Sequence, residues 1–308
     1  MYMKPAKPRP SANAISVFDI ETGSEGELLD IGFYHDGEYS THPSWINWLQ
    51  HIIAYEGIVK ISVAWAHNGG KFDTVGLVME LFHNWNFYKE IIRRFDTKLS
   101  NGAILELNIE FQNGEHLLIR DSFRLFPMSL NKILKSFGLN SKLDVPEHFK
   151  SQMQLYKNQH FIDYHAYLKQ DCIGLSQALH LFRALVNDIS PIGDLPLSLG
   201  SLALKVFKTS YLKHKIEMPT RKDIEFCEQA YSGGRTEYFG NGKQTNGVYK
   251  SCNYYDINSM YPAAMLSGNF PIGKGAHVKR ELYYRADGQL CPGAYLIEYD
   301  QLVDIYHY

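Results

Sequence analysis

Apolar and polar positions along the chain predict strands and helices that alternate over roughly the first 190 residues. Runs of β-branched and aromatic residues, typical of strands, occupy residues 15–21, 28–34 and 57–66. Apolar residues at helical spacing predict helices at residues 43–55, 72–84, 129–137 and 161–187. A hairpin around Asn113 and Gly114 is predicted to join strands at residues 103–111 and 115–121. Strands interleaved with helices indicate an α/β domain.

A change in pattern after residue 190 predicts a second region. The stretch 189–200 holds two prolines and two glycines, which is a boundary signal, and helices are predicted at residues 199–212 and 222–230. Glycine clusters follow, with short strands predicted at residues 247–256 and 294–299. The pattern therefore divides the chain into residues 1–190, 191–235 and 236–308.

Composition and charge narrow the class of protein only a little. The 308 residues are 45% hydrophobic and 21% charged, as in an ordinary globular protein, and the formal net charge is -2 with a sequence pI of about 6.7. This near-neutral balance argues mildly against a nucleic-acid enzyme, although the local distribution of charge matters more. Residues 120–142 hold five basic side chains against one acid, which fits either a nucleic-acid contact or a solvated face.

The cysteines and the N-terminal residues argue against several other classes. The four cysteines are scattered and form no C-x-x-C pair, so neither a structural zinc nor a disulfide framework is indicated, and a reducing compartment is expected. No apolar run is long enough to span a membrane. The first 14 residues carry three basic side chains and no apolar stretch, which predicts a flexible arm, with a weak organellar presequence as the alternative.

The first candidate site is the acid pair Asp19 and Glu21 on the first predicted strand. Side chains alternate along a strand, so these two carboxylates project from one face of an otherwise apolar segment. Two acids on a core strand repel each other unless a cation lies between them, and a hard divalent ion such as Mg²⁺ meets that need. For the pair taken alone, a solvent-exposed strand end is the alternative explanation.

A second candidate site is the segment HNGGKFD at residues 67–73, after the third predicted strand. Its glycines would let the backbone approach a ligand closely. Asn68 could hydrogen-bond a sugar or a phosphate, and Phe72 offers a face on which a terminal base could stack. Asp73 would open the next helix, where an acid is also simply a favourable first-turn residue.

The third candidate site is the pair Tyr167 and Asp171 on the longest predicted helix. Because they are four residues apart, both lie on one face of that helix. A phenol one turn from a carboxylate could hold the water that a metal site activates. In isolation, however, the pair is better explained as part of a half-exposed amphipathic helix.

Together and in this order, the motifs FDIET, HNGGKFD and YLKQD resemble the three exonuclease motifs of the proofreading domain of family B DNA polymerases, in the DEDD superfamily with tyrosine. The resemblance implies an RNase H-like exonuclease domain with a mixed β-sheet flanked by helices. It also implies two Mg²⁺ or Mn²⁺ ions, the tighter held by Asp19, Glu21 and Asp171, and the other by Asp19 and, through water, Asp73. Tyr167 would orient the attacking water.

Further segments resemble the protein-primed branch of this family. YSGGR at residues 231–235 is similar to the segment that joins the exonuclease and polymerase regions. DINSMYP at 256–262 is similar to polymerase motif A, which implies an incomplete α+β palm with Asp256 as a metal ligand and Tyr261 beneath the incoming sugar. DSF at 121–123 resembles a segment that grips single-stranded DNA. The DNA-binding residues implied in this way are His67, Asn68, Phe72, Ser122, Phe123, Lys142, Tyr231, Gly233, Gly234 and Arg235.

The resemblance also sets expectations for activity and partners. The sequence contains neither a K-x-x-x-N-S-x-Y-G fingers motif nor a D-T-D palm motif, so polymerisation is expected to require parts that this chain lacks. The chain would be the N-terminal part of a longer polymerase or a short stand-alone nuclease. Single-stranded and primer-terminus DNA are the expected partners of a monomer, with a terminal protein as a further candidate. The expected location is the host cytoplasm, with a virus or plasmid as the source of the gene and mitochondria as the alternative.

Two other functions stay open on the sequence alone. A catalytically inactive module that binds single-stranded DNA or a terminal protein would keep the same fold, although the presence of all four acids and the tyrosine disfavours it. An RNA exonuclease of the DEDD type would have no use for YSGGR or DINSMYP.

Overall fold

The computed structural model describes residues 2–10, 14–55, 61–230, 257–267 and 288. The chain divides into two compact units, Pro5–Lys213 on the one hand and Met1–Lys4 with His214–Tyr308 on the other. The strands are β1 (Tyr2–Met3), β2 (Ser16–Thr22), β3 (Leu28–His35), β4 (Glu38–His42), β5 (Val63–Ala66), β6 (Ile92–Ser100), β7 (Ala103–Phe111), β8 (His116–Asp121) and β9 (Ile216–Glu217). The helices are α1 (Trp45–Ile53), α2 (Asp73–His83), α3 (Trp85–Tyr88), α4 (Leu130–Ser136), α5 (Met153–Gln159), α6 (Phe161–Ile189), α7 (Leu199–Val206), α8 (Arg221–Ala230) and α9 (Met260–Leu266).

A seven-stranded mixed sheet in the order β4-β3-β2-β5-β8-β7-β6 forms the centre of the Pro5–Lys213 unit. The central strands β2, β5 and β8 are parallel neighbours, and the outer pairs are antiparallel. Parallel strands end at the same edge of a sheet, so the residues that follow β5 and β8 lie beside the last residues of β2. The expected α/β fold with a mixed sheet flanked by helices is confirmed, whereas most of the expected palm lies outside the described residues.

Apolar side chains cover both faces of this sheet. On one face Phe18 packs against Trp45 and Trp48 of α1, with ring centroids 6.3 and 4.8 Å away. Val17, the preceding residue of β2, points to the opposite face and belongs to a buried cluster with Leu175 and Leu179 of α6. Alternation along the strand therefore directs Asp19 and Glu21, like Val17, toward the face that α6 covers.

A glycine allows α6 to approach the sheet closely. Gly32 on β3 lies directly opposite Asp19 on β2. A Cβ atom at Gly32 would lie 2.7 Å from Cγ of Leu168 on α6 and 3.1 Å from the hydroxyl of Tyr39. Any side chain at this position would therefore push α6 away from the strand that carries Asp19 and Glu21.

Most of the predicted elements that the structure describes are confirmed with boundaries shifted by a few residues, but β1, β4, β6, β9, α3, α5 and α9 were not predicted. β6, for example, is an edge strand whose sequence IRRFDTKLS is mostly exposed, so it lacks the apolar alternation of a buried strand. The predicted strand at residues 57–66 is shorter, because β5 begins at Val63 and residues 56–60 lie outside the description.

The N-terminal arm, which was expected to be flexible, is attached to the rest of its unit. The N–H of Ala6 donates to the carbonyl of Lys208 at 2.7 Å and that of Arg9 donates to the carbonyl of Pro191 at 3.0 Å. The predicted division at residue 190 lies within the Pro5–Lys213 unit, and the division into exonuclease, linker and palm remains a prediction. Among the described residues, no helix is long and apolar enough to cross a membrane.

The turn between β5 and α2 is fixed by the backbone of a second close-packed glycine. The N–H of Gly70 donates to Oδ2 of Asp121 at 3.2 Å, and its carbonyl accepts from the N–H of Ile104 at 2.9 Å. A Cβ atom at Gly70 would lie 2.1 Å from the carbonyl oxygen of Ile104, which is far inside van der Waals contact. The turn therefore requires glycine at this position for its close approach to β7 and β8.

We expect Gly70→Ala to lower the free energy of unfolding by about 1–3 kcal/mol, since the backbone at Ile104 must move to admit the methyl group. The matched control is Gly76→Ala within α2, where the nearest atom to an added Cβ is 3.7 Å away. That control should raise stability by up to about 1 kcal/mol through helix propensity. Urea denaturation of both variants measures the difference, and equal stability of Gly70→Ala and the parent protein would contradict the packing argument.

Candidate active site

Acidic side chains from three elements meet at one cleft in the Pro5–Lys213 unit. Asp19 and Glu21 lie near the end of β2, Asp73 is the first residue of α2, and Asp171 is on α6. The cleft has a volume of about 910 Å³, and its lining includes Asp19, Glu21, Lys71, Phe72, Asp73, Lys142 and Tyr167. Asp171 is buried behind it, with 3% of its surface exposed.

Asp73 is held against β2 by the backbone. Its Oδ1 atom accepts a hydrogen bond from the N–H of Ile20 at 3.2 Å, and Ile20 lies between Asp19 and Glu21 in sequence. Its position at the start of α2 follows from the tight turn at Gly69 and Gly70. The predicted second motif is thus joined to the predicted first motif by a direct contact.

Lys142 lies among these acids. Its Nζ atom forms an ion pair with Oδ2 of Asp171 and lies 4.6 Å from the centroid of the Tyr167 ring. Beyond this ion pair, neither carboxylate oxygen of the buried Asp171 side chain has a hydrogen bond of normal geometry within the described structure. A buried carboxylate with so few partners is stabilised mainly by a neighbouring cation.

Burial, together with repulsion from neighbouring carboxylates, raises the pKa of Asp19, Glu21 and Asp73. Burial raises the pKa of Glu21 to about 8, where Asp171 and Asp73 raise it further and Lys142 opposes the rise. Burial also raises the pKa of Asp73 to about 6, against two backbone hydrogen bonds that lower it. The pKa of Asp19 is well above its usual value because of burial and then the charges of Asp73, Asp171 and Glu21.

The chemistry of these side chains fits a hard divalent cation, although their present arrangement is not a ligand set. Among the described residues, no three His, Cys, Asp or Glu side chains come together so that they could hold a metal ion. Carboxylate oxygens are nevertheless the ligands that Mg²⁺ and Mn²⁺ prefer. The acids are close enough to raise one another's pKa, and Lys142 provides the positive charge between them in this structure. The donor set of Asp19, Glu21, Asp73 and Asp171 therefore fits the implied metal in chemistry.

Of the predicted DNA-binding residues, Phe72 is the one most open to a ligand. It lies at the edge of the cleft with 64% of its surface exposed, so its ring is available for stacking. Asn68 is half-buried and adopts a left-handed backbone conformation with a φ of 61°, which asparagine tolerates better than most residues.

His67 and Ser122 are engaged with the protein itself. Nε2 of His67 lies 2.8 Å from the carbonyl oxygen of Met128 and therefore donates to it, while Nδ1 lies 3.0 Å from Oγ of Ser122. Ser122 is fully buried and its Oγ lies 3.0 Å from the carbonyl oxygen of Ala66. The His67 ring also lies 5.9 Å from the Phe123 ring. These contacts fasten the segment after β8 to the segment after β5, and direct binding of DNA by His67 and Ser122 remains a prediction.

Two acids near the cleft were not predicted as site residues. Asp121, at the end of β8, accepts hydrogen bonds from the N–H groups of Gly70 and Phe123, so one carboxylate orients both predicted DNA-binding segments. Asp30 on β3 lies directly opposite Glu21 and forms an ion pair with Lys157 at 2.7 Å. Asp30 is a buried acid, and its occurrence within the apolar segment LLDIGFY could have marked it as a candidate site residue. Its position opposite Glu21, however, depends on the register of the two strands.

The residues predicted for the polymerase region are mostly not described. Tyr231, Gly233, Gly234, Arg235 and Asp256 lie outside the described residues. Tyr261 lies on α9 with 71% of its surface exposed, in the unit that contains His214–Tyr308. Their predicted roles therefore stay predictions.

Known proteins similar to this chain are DNA polymerases. Residues 156–290 match the sequence profile of the family described as "DNA polymerase type B, organellar and viral". The DNA-directed DNA polymerase of Enterobacteria phage PRD1 is 28% identical over 298 residues, covering 93% of this chain and 44% of the phage protein.

Solved structures of Phi29 DNA polymerase share the fold. Its orthorhombic crystal form matches with a TM-score of 0.62 and 23% identity over 88% of this chain and 48% of that one. The form complexed with single-stranded DNA matches with a TM-score of 0.54 and 20% identity over 72% and 40%. The chain thus spans less than half the length of each of these polymerases. The family profile and the phage relative support the expected relationship to the family B DNA polymerases of the organellar and viral type.

Proposed function

We propose that the Pro5–Lys213 unit is a 3′–5′ exonuclease that hydrolyses the terminal phosphodiester of single-stranded DNA with two Mg²⁺ or Mn²⁺ ions. The observation that carries this proposal is the meeting of Asp19, Glu21, Asp73 and Asp171, from β2, α2 and α6, around one cleft where they raise one another's pKa. Such a concentration of buried acids lowers stability in the absence of divalent cations, and it is expected where a protein binds them.

The proposed roles of the side chains follow from their positions. Asp19, Glu21 and Asp171 would hold one metal ion, and Asp19 and Asp73 the other. When bound, the two ions would activate the attacking water and stabilise charge on the phosphate. The Tyr167 hydroxyl, one helical turn from Asp171, would orient that water. Phe72 would stack on the terminal base from the edge of the cleft.

Lys142 has a role of its own in this proposal. In the structure its ammonium group neutralises Asp171 and lies over the Tyr167 ring. The same flexible side chain could instead neutralise a phosphate oxygen of the DNA, because a lysine ammonium acts as a movable point charge. Lys142 would thus contact Asp171 in the free enzyme and the substrate phosphate in the complex.

The wider function that we propose is proofreading for a protein-primed DNA polymerase. The relatives are DNA polymerases, and one similar solved structure is described as a complex with single-stranded DNA, which supports DNA as the substrate. Polymerisation would require the fingers and palm motifs that this sequence lacks. A terminal protein and the 3′ end of a primer would be partners of the whole polymerase.

The acid pair on β2 provides the direct test. We expect Asp19→Ala combined with Glu21→Ala to reduce the Mn²⁺-dependent release of nucleoside monophosphates from a 5′-labelled single strand by at least about 10²–10³-fold, since electrostatic stabilisation of the reacting phosphate is lost. Asp188→Asn, which alters an exposed acid on α6, is the matched control and should retain full activity. Undiminished exonuclease activity of the double variant would contradict the proposal.

The same assay separates the other functions. Binding of single-stranded DNA by the unaltered protein without any degradation in Mn²⁺ would identify a non-catalytic module. Faster degradation of a matched RNA oligonucleotide than of DNA would identify an RNA exonuclease. We expect degradation of DNA in preference to RNA.

A second prediction concerns the stability of the protein without metal. The pKa of Glu21 rises from 4.5 to about 8 on folding, so the folded state binds its proton more tightly than the unfolded state. Stability from this group is therefore present below pH 4.5 and is lost as the pH rises toward 8. We expect Glu21→Gln in EDTA to raise the Tm at pH 8.5 by about 2–4 °C, which corresponds to ~1 kcal/mol in a domain of this size.

The gain from Glu21→Gln should shrink toward zero at pH 5, where the native carboxyl group is already protonated. Glu90→Gln, at an exposed glutamate in the same unit, serves as the control and should leave the Tm unchanged at both pH values. Differential scanning calorimetry at the two pH values measures the effect, and a Tm gain that does not depend on pH would contradict the electrostatic explanation.

A further inference from the structure

A second large concavity, which we call the basic groove, lies beside the central strands β5 and β8. Its volume is about 1120 Å³, and it is bounded by the N-terminal arm, residues of β5 and β8, and α7 with the turn that follows. It shares no described lining residue with the acidic cleft. The basic side chains that line the groove include Lys7, Arg9, Arg120, Lys205 and Lys208.

Most of this positive charge has no carboxylate partner. Arg120 pairs with Glu106 at 2.7 Å. In the part of the chain that the structure describes, by contrast, Lys7, Arg9 and Lys208 form no ion pair. Lys205 donates to a backbone carbonyl, that of Asp194, at 2.8 Å.

Acidic side chains offset little of this charge. Asp194 is the one acid among the described lining residues, and its carboxylate pairs with Arg183 at 3.4 Å. Three positive charges, those of Lys7, Arg9 and Lys208, therefore line the groove without an ion pair among the described residues.

The backbone that carries these charges is held in place. The arm is fastened at both ends of its basic segment, because the N–H of Ala6 donates to the carbonyl of Lys208 and that of Arg9 to the carbonyl of Pro191. Gly193, with a φ of +79°, makes room for it, since a Cβ there would lie 3.0 Å from the carbonyl oxygen of Pro10. The backbone that carries Lys7 and Arg9 is thus preorganised, which lowers the entropy lost when a ligand binds.

Lys205, Arg9 and Arg120 line the same groove, and their charges act on one another. Burial lowers the pKa of Lys205, and the charges of Arg9 and Arg120 lower it further, against the opposing effect of Asp194. Like charges at this proximity destabilise a folded protein unless an anion lies between them. Phosphate groups are anions that such a cluster would bind.

We propose that the basic groove is a second DNA-binding site that contacts the phosphate backbone of duplex DNA. No Phe, Tyr or Trp side chain is among its described lining residues, and His116 is the one aromatic ring there, so it offers little surface on which successive unpaired bases could stack. Contacts to phosphates alone suit a duplex, whose charge density is higher than that of a single strand. The proposal goes beyond the exonuclease function and does not require the acidic cleft to be active.

The test is salt-dependent binding of a fluorescently labelled blunt duplex of about 20 base pairs to the full chain, in EDTA so that no hydrolysis occurs. The groove variant combines Lys7→Gln, Arg9→Gln and Lys208→Gln. Because each phosphate contact contributes about 0.9 to the slope of log K against log salt concentration, the loss of three contacts should reduce that slope by roughly 2.7. At low salt the duplex should bind at least about tenfold more weakly.

The control variant combines Lys89→Gln, Lys135→Gln and Lys150→Gln, which removes the same net charge from exposed positions outside the groove. Its affinity for the duplex should change by less than about twofold, and equal losses in the two variants would overturn the proposal by showing a bulk charge effect. The double variant Lys7→Gln with Arg9→Gln, at exposed arm positions, should show about two thirds of the slope change if the triple variant folds poorly.

Two further measurements separate this site from the acidic cleft. A labelled single strand of equal length should lose less affinity than the duplex in the groove variant, and a greater loss for the single strand would overturn the assignment to duplex DNA. Hydrolysis of a trinucleotide in Mn²⁺, which is too short to reach both sites, should be unchanged in the groove variant. Failure of the exonuclease proposal would leave the binding result in EDTA unaffected.

Discussion

The close approach of α6 to the sheet is the constraint on which the candidate site depends. Leu168 occupies the space that a side chain at position 32 would fill, directly opposite Asp19. Because Tyr167 and Asp171 flank Leu168 on the same helix, this contact sets their distance from the acids of β2. A larger residue at Gly32 would therefore disturb the site without touching any of its polar groups. The geometry of the candidate site thus depends on how closely α6 packs against the sheet.

The same contact creates the electrostatic problem of the cleft. Once α6 lies against β2, burial raises the pKa of Asp171, and its charge adds to the effect of burial in raising the pKa of Asp19 and Glu21. Lys142 relieves part of this repulsion through its ion pair with Asp171. The fold thus sacrifices stability at the place where the proposed reaction would need ionised carboxylates, as functional sites often do.

The sequence identified the candidate residues, whereas the contacts between them became visible only in the structure. The acids of β2 stand out because two carboxylates interrupt an apolar strand, and Tyr167 and Asp171 stand out because their spacing puts them on one helical face. The pairing of Glu21 with Asp30 depends on strand register, and the bridging role of Asp121 depends on which strands are neighbours, so neither could be predicted from local pattern. The polar edge strand β6 was missed because exposed strands carry no apolar alternation.

The net charge of -2 misleads because it averages two regions of opposite sign. Residues 120–142 looked like one basic run, yet the structure divides it: Arg120 lines the basic groove, whereas Lys142 lies in the acidic cleft. The two regions share no described lining residue, and the N-terminal arm adds two further cations to the groove alone. An overall charge near zero is therefore no argument against a nucleic-acid enzyme. If the same protein is to bind a polyanion, the negative charge of a cluster of metal-binding acids must be balanced by basic side chains elsewhere.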